Sequence, residues 1–270
     1  MKGVRAIARE AARFGPICVA AGALLIVFAG TRLVVGDPSA ISVAGRLSPP
    51  SDAHMMGTDA LGRDLASRLI LGARRTVASA LGAVALAAVL GVPLGLAAAR
   101  KPTPGPLAGL LTAMIAFPGF LLVLVFAATV GPSSAGTAAA LGIAAIPGTG
   151  RFVYDRARSV LSRPFVEAAV SCGADPRWLL TRHVVPHLLP TFSIFLSGRI
   201  GTMILVVGAL GFLGFGAQPP APELGAVLAE NRLYAADAPW LIVFPGVALT
   251  LSSLSFHVLG DALHRLLERY

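Results

Sequence analysis

Long apolar runs separated by short polar stretches dominate the chain, and their lengths set its architecture. A helix that crosses the roughly 30 Å hydrocarbon core of a bilayer needs about 20 apolar residues. Six stretches are read against that length: about Ile17 to Val35, Val77 to Ala99, Leu107 to Val130, Ser134 to Thr149, Phe192 to Phe215 and Trp240 to Gly260. The third contains Pro118, which predicts a bend, and the fourth is short and rich in small residues. None shows the apolar–polar alternation of a membrane barrel strand. Glycine and alanine recur inside the runs and let helix backbones approach closely. The pattern predicts an all-α, polytopic membrane protein with six transmembrane helices.

Composition agrees and removes the alternatives. The chain is 56% hydrophobic and only 13% charged, with a mean hydropathy of +0.78, too apolar for a soluble domain or a disordered segment. Two cysteines, Cys18 in the first apolar run and Cys172 in a basic segment, make no disulfide framework. Lys2, Arg5, Arg9 and Arg13 precede the first run as they would in a secretory signal. The run is too long for such a signal and no small-x-small cleavage site follows, so it reads as a retained helix.

A net charge of +9 invites a nucleic-acid reading, but the charges are dispersed between apolar runs, and sorting them by side explains them better. With the N-terminus inside, the basic residues ahead of the first run, Arg100, Lys101, those of 151–190, Arg265 and Arg269 all face the cytoplasm. They outnumber Arg32, Arg46, Arg63, Arg68, Arg74, Arg75 and Arg232 of the outer loops two to one, which satisfies the positive-inside rule. Acids divide nearly evenly, so the net charge belongs to the inner face. Both termini are expected in the cytoplasm, and no nucleic-acid partner is expected.

The inner segment 151–190 is too long and too structured for a mere connection. Pro164 suits the first turn of a helix running to about Cys172, Gly173 a left-handed C-cap, Asp175 an N-cap, and Pro176 the first position of the next helix. The product is a helix–turn–helix elbow. Phe165, Val166, Ala169, Trp178 and Leu179 are free either to dock on a partner or to fold back on the bundle.

Here the residues resemble a known family. Glu167-Ala168-Ala169, Gly173 six positions after the glutamate, and Val185-Pro186 resemble the EAA loop of ABC-importer permeases. Arg182-His183-Val184-Val185-Pro186 is similar to the RHILP form of the peptide and nickel branch. Ser48-Pro49-Pro50-Ser51, His54, Gly57-Thr58-Asp59 and Leu61-Gly62-Arg63-Asp64 resemble the signature of the C-type subunit of dipeptide and oligopeptide permeases. Gly211-Phe212-Leu213-Gly214-Phe215-Gly216-Ala217-Gln218-Pro219-Pro220 and Leu259-Gly260-Asp261 match two further family motifs, so the resemblance runs in order from about residue 48 to the C-terminus.

The resemblance implies the type I ABC-importer permease fold, a bacterial inner-membrane location, and a coupling elbow seated in a groove of an ATPase. It assigns ATPase coupling to Glu167, Ala168, Ala169, Gly173, Asp175 and Pro186. It implies as partners a second, B-type permease subunit, two ABC ATPase subunits contacting 151–190, and an extracytoplasmic substrate-binding protein. The chain divides accordingly into 1–47, with the first helix; an outer amphipathic segment, 48–76; the permease domain, 77–264; and a cytoplasmic tail, 265–270.

Within the outer segment, Asp59 can cap a helix in which Asp59 faces Arg63 and Asp64 faces Arg68. Leu61, Leu65 and Leu69 then line one face, and the chain enters the membrane at Val77. A metal site built from His54, Asp59 and Asp64 competes with this, but both acids already have basic partners and no fourth ligand is evident. No metal and no cofactor are expected.

Arg199 is the one charge inside a span, about 10 Å from the span start at Phe192. Two readings stand: a side chain that snorkels to the interface or finds a partner, and a residue on the translocation path. Many relatives carry an acid just before the FLG motif, where this chain has Val206-Val207. No GxxxxGK[ST] loop surrounds Lys2 or Lys101, so ATP must be hydrolysed by another chain. An ion-coupled secondary transporter lacks acids inside the spans. An intramembrane serine protease would rest on Ser133 or Ser134 with His257, but these serines more simply cap a helix. The expected function is a permease subunit for peptides or a related small solute.

Overall fold

A computed structural model describes residues 40–100 and 105–267, so the first predicted span lies outside the described residues. Nine helices are labelled here: α1 Leu65–Ala99, α2 Pro106–Ile115, α3 Gly119–Val130, α4 Ser134–Leu161, α5 Pro164–Ser171, α6 Pro176–Leu179, α7 Val185–Phe212, α8 Leu224–Asn231 and α9 Trp240–Leu267. Among the described residues the only β pairing is an isolated bridge between Thr58 and Asp64.

The helix starts follow local chemistry. Asp64 caps α1 by accepting from the Ser67 amide at 2.8 Å, and Ser133 caps α4 by accepting from the Gly136 amide at 2.9 Å. Each satisfies an amide that the first turn leaves without a partner. The bend expected at Pro118 is a break: the axes on its two sides differ by 87°.

Several helix ends differ from the sequence expectation. α1 begins at Leu65, so 59–76 is not a separate surface helix and the chain does not wait for Val77 to enter the bundle. Of the three leucines expected on one face, Leu65 and Leu69 are buried in the core, but Leu61 precedes the helix and is exposed. The fourth run continues past Thr149 to Leu161, and the fifth starts at Val185, ahead of Phe192. Backbone hydrogen bonding sets these ends whatever the polarity of the surface, and both helices hold a proline inside them, Pro147 in α4 and Pro190 in α7.

α1 and α4 lie side by side in the same direction, as the approaches of Gly91 to Thr149 and Gly95 to Val153 show. A Cβ at Gly95 would stand 2.4 Å from the Gly150 carbonyl, so these backbones touch only because the side chain is missing. α7 runs antiparallel to both α4 and α9, placing Phe195 on Phe152 and Ser197 on Phe256. One core cluster fills the half nearer residues 40–64, with Leu65, Leu141, Ile204, Leu210 and Leu241. A second, with Ala99, Leu111, Val153, Val184 and Leu188, fills the half nearer the elbow.

By length and composition three of the described helical stretches can cross a membrane, Leu65–Ala99, Arg177–Phe212 and Trp240–Arg265, and the broken pair α2–α3 makes up to four. α4 is 28 residues long, but its second half carries Arg151, Asp155, Arg156 and Arg158.

Candidate functional site

The elbow is built from two helix ends and a left-handed glycine. Pro164 opens α5, whose missing amide hydrogen costs nothing at a first position. α5 ends at Gly173 with φ +84°, and the Ala174 amide donates back to the Ala169 carbonyl at 3.0 Å, the helix-ending geometry that glycine adopts most cheaply. The Asp175 carboxylate accepts from the Arg177 amide at 2.6 Å and opens α6. α6 passes through a π-helical turn, Leu180–Val184, directly into α7. The elbow is thus held at both ends by long helices.

Glu167, Ala168, Gly173, Asp175 and Pro186 are exposed on it, and Ala169 is half-buried. The apolar surface differs from the expectation. Val166 and Leu179, expected to be free for docking, are buried against the bundle, whereas Phe165, Val170 and Trp178 are exposed. His183 organises the interior of the turn: its ring lies 5.6 Å from that of Phe165 and 4.9 Å from that of Trp178.

Arg199 lies far along α7. Because that helix begins at Val185, Arg199 is about 21 Å from its start, at 1.5 Å per residue. Its guanidinium leans one turn back over the Phe195 ring, 5.7 Å from the centroid. It lines a cavity of about 170 Å³ with Gly119, Phe120, Val123, Leu141, Ala144, Ala145, Thr202, Met203 and Val206.

The end of the bundle opposite the elbow carries a polar cap. The Arg63 guanidinium donates to Asp59 at 2.6 Å and also to Glu230. Arg68, fully buried, donates to Glu230 at 2.9 Å and stands 3.6 Å from Asp59. The Asp59–Arg63 pair is as expected, but Asp64 does not pair with Arg68. Its carboxylate is taken up by the Ser67 amide and by His54, whose Nδ1 is 3.0 Å away. Burial works against the charged Asp64, but hydrogen bonds from Ser67 and His54 outweigh it and hold this carboxyl below its usual value. Glu223 is also fully buried. Burial pushes its carboxyl up, only partly offset by the Ala217 amide, which donates to it at 2.6 Å.

Residues 87–270 match the family described as binding-protein-dependent transport system inner membrane component. The chain belongs to that family. It is a permease subunit of an ATP-binding-cassette importer, and its relatives are transport permeases. A probable D,D-dipeptide transport system permease protein of Escherichia coli is 35% identical over 253 residues, covering 91% of this chain and 83% of that protein. A glutathione transport system permease protein of Pectobacterium atrosepticum is 36% identical over 221 residues, covering 81% and 73%. A chain of the inward-facing MetNI methionine ABC transporter superposes with a TM-score of 0.59 at 17% identity, over 74% of this chain and 95% of that one, which shows the fold.

The permease's polar cap is what residue-by-residue reading missed. Glu223 is buried among groups of the cap, and the half-buried Glu230 pairs with Arg68, 162 residues away in sequence. The one local hint was four arginines close together, Arg63, Arg68, Arg74 and Arg75, with too few neighbouring acids to pair them.

Proposed function

We propose that this chain is the C-type permease subunit of an importer for peptides or a related small solute, with six spans, both termini in the cytoplasm and the elbow on the cytoplasmic face. It pairs with a B-type permease to enclose the path and receives solute from an extracytoplasmic binding protein. Two ATPases engage segment 151–190, and Glu167, Ala168, Ala169, Gly173, Asp175 and Pro186 shape that contact.

One observation carries this reading. The elbow stands at the end of the bundle with Phe165 and Val170 exposed on α5 and Trp178 on α6, while its two flanks continue as α4 and α7. Exposed apolar side chains on a rigid elbow favour a protein partner, and an elbow continuous with long helices passes any push into the bundle. The two-to-one basic bias toward the elbow side supports the orientation. The names of the relatives support the solute class.

The test is a variant that changes elbow geometry alone. A Cβ at Gly173 meets no atom within 4 Å, so Gly173→Val brings only the backbone cost of a β-branched residue at φ +84°. In the complete transporter reconstituted in proteoliposomes, Gly173→Val is expected to lower peptide uptake about tenfold while ATP hydrolysis loses its dependence on loaded binding protein. Glu167→Lys is expected to act in the same direction. Normal, ATP-coupled uptake by Gly173→Val would refute the coupling role.

A further inference from the structure

The cavity among α3, α4 and α7 combines features that an apolar packing defect lacks. Its lining is apolar except for Arg199 and Thr202, and it contains no acid. The Thr202 hydroxyl is occupied by the Gly198 carbonyl at 3.1 Å. Among the described residues Arg199 has the Phe195 face beside it and no carboxylate partner. A cation at bilayer depth facing hydrocarbon is costly, so it persists where it is paired or meets water.

Two further features belong to this wall. The broken backbone between Ile115 and Gly119 lies on its rim, and non-helical backbone at membrane depth is tolerated where protein covers it or where it borders a water-filled space. On the far side Gly148 leaves room for the guanidinium: even a Cβ there would stand 3.6 Å from the Arg199 Nη2.

We propose that Arg199 recognises a free carboxylate of the solute as it passes this wall, with Phe120 and Met203 taking the neighbouring apolar part. The proposal rests on the peptide-importer reading above. A guanidinium offers a planar fork that matches a carboxylate with two parallel hydrogen bonds. One cation in an otherwise apolar wall attracts an anionic group strongly enough to orient it, and the absence of a second cation in the lining lets it leave. The same charge disfavours cationic solutes. The carboxylate can be a peptide C-terminus or an acidic side chain, since the chemistry is shared.

The experiment uses the complete transporter in proteoliposomes with three probes: dialanine, dialanine amide, and the amide of alanyl-glutamate. Wild type is compared with Arg199→Met and Arg199→Lys. Because one binding protein serves every protein variant, its own preferences cancel in the comparison. Arg199→Met is expected to lower dialanine uptake about tenfold and dialanine amide uptake less than twofold, with Arg199→Lys restoring at least a third of the loss. A matching loss for alanyl-glutamate amide shows that side-chain carboxylates are read as well, whereas a loss confined to dialanine assigns the contact to the C-terminus. Unchanged dialanine uptake in Arg199→Met, or equal loss for acid and amide, overturns the assignment. Wild-type transporter that takes up no peptide overturns the peptide reading itself, and this proposal with it.

Discussion

Glu223 shows how one residue sets a pH response. Its carboxyl is fully buried, and burial raises its pKa above the unfolded value of 4.5. A group shifted in this direction contributes stability below its unfolded value, and the contribution is lost as pH rises through the folded value. The permease is therefore expected to lose thermal stability as pH climbs above about 4.5 and Glu223 ionises. Glu223→Gln keeps an oxygen for the Ala217 amide and cannot ionise, so it is expected to flatten that dependence and to raise the melting temperature at pH 8. Melting curves of detergent-solubilised wild type and variant between pH 4 and 8 check this; parallel curves would contradict it. Asp64 works in the opposite sense: its lowered pKa contributes stability above 3.8, lost as pH falls through the folded value.

Among the elements, α1 and α4 meet in a close backbone contact. Gly95→Val puts a side chain where only 2.4 Å separates a Cβ from the Gly150 carbonyl. Overpacking of this kind costs about 1–3 kcal/mol, and backbone against backbone has no side chain to move aside, so the upper end is expected. Gly109→Val, where a Cβ meets nothing within 4 Å, is the control. A comparison of their melting temperatures decides the point. The elements also show what a sequence displays and what it hides. Pro118, Ser133, Pro164, Gly173 and Asp175 were legible because a break or cap is decided by one residue and its nearest neighbours. The start of α1 was not, because Asp59 and Asp64 both have capping chemistry. The choice falls to Asp64 once Asp59 is drawn to Arg63 and Arg68, which Glu230 holds from the far side of the chain. The ends of α4 and α7 were hidden because hydropathy reports where lipid stops and says nothing of where hydrogen bonding does.

At the scale of the whole molecule, orientation is open to a direct measurement. Cys172 is exposed on the elbow, while Cys18 lies in the first apolar run. With the elbow in the cytoplasm, a membrane-impermeant maleimide is expected to leave Cys172 unlabelled in intact cells and to label it in inverted vesicles, whereas a permeant maleimide labels it in both. Labelling by the impermeant reagent in intact cells would reverse the topology. The candidate site at this scale was partly legible. The elbow could be read as a string, since its residues lie in the single segment 151–190. The cavity around Arg199 could not, because α3, α4 and α7 each supply part of its wall.

The glycine contact with α1 divides α4 into two arms. From Gly150 the helix extends about 17 Å to Leu161 at the elbow and about 24 Å to Ser134 at the polar cap, at 1.5 Å per residue. Close packing against α1 continues along the longer arm, where Gly142 lies against Leu86 and Ala83. The cap end of α4 touches the loops that hold Glu223, through Thr137 and the Phe215 carbonyl at 2.8 Å. One continuous helix therefore joins the elbow end of the molecule to the polar cap.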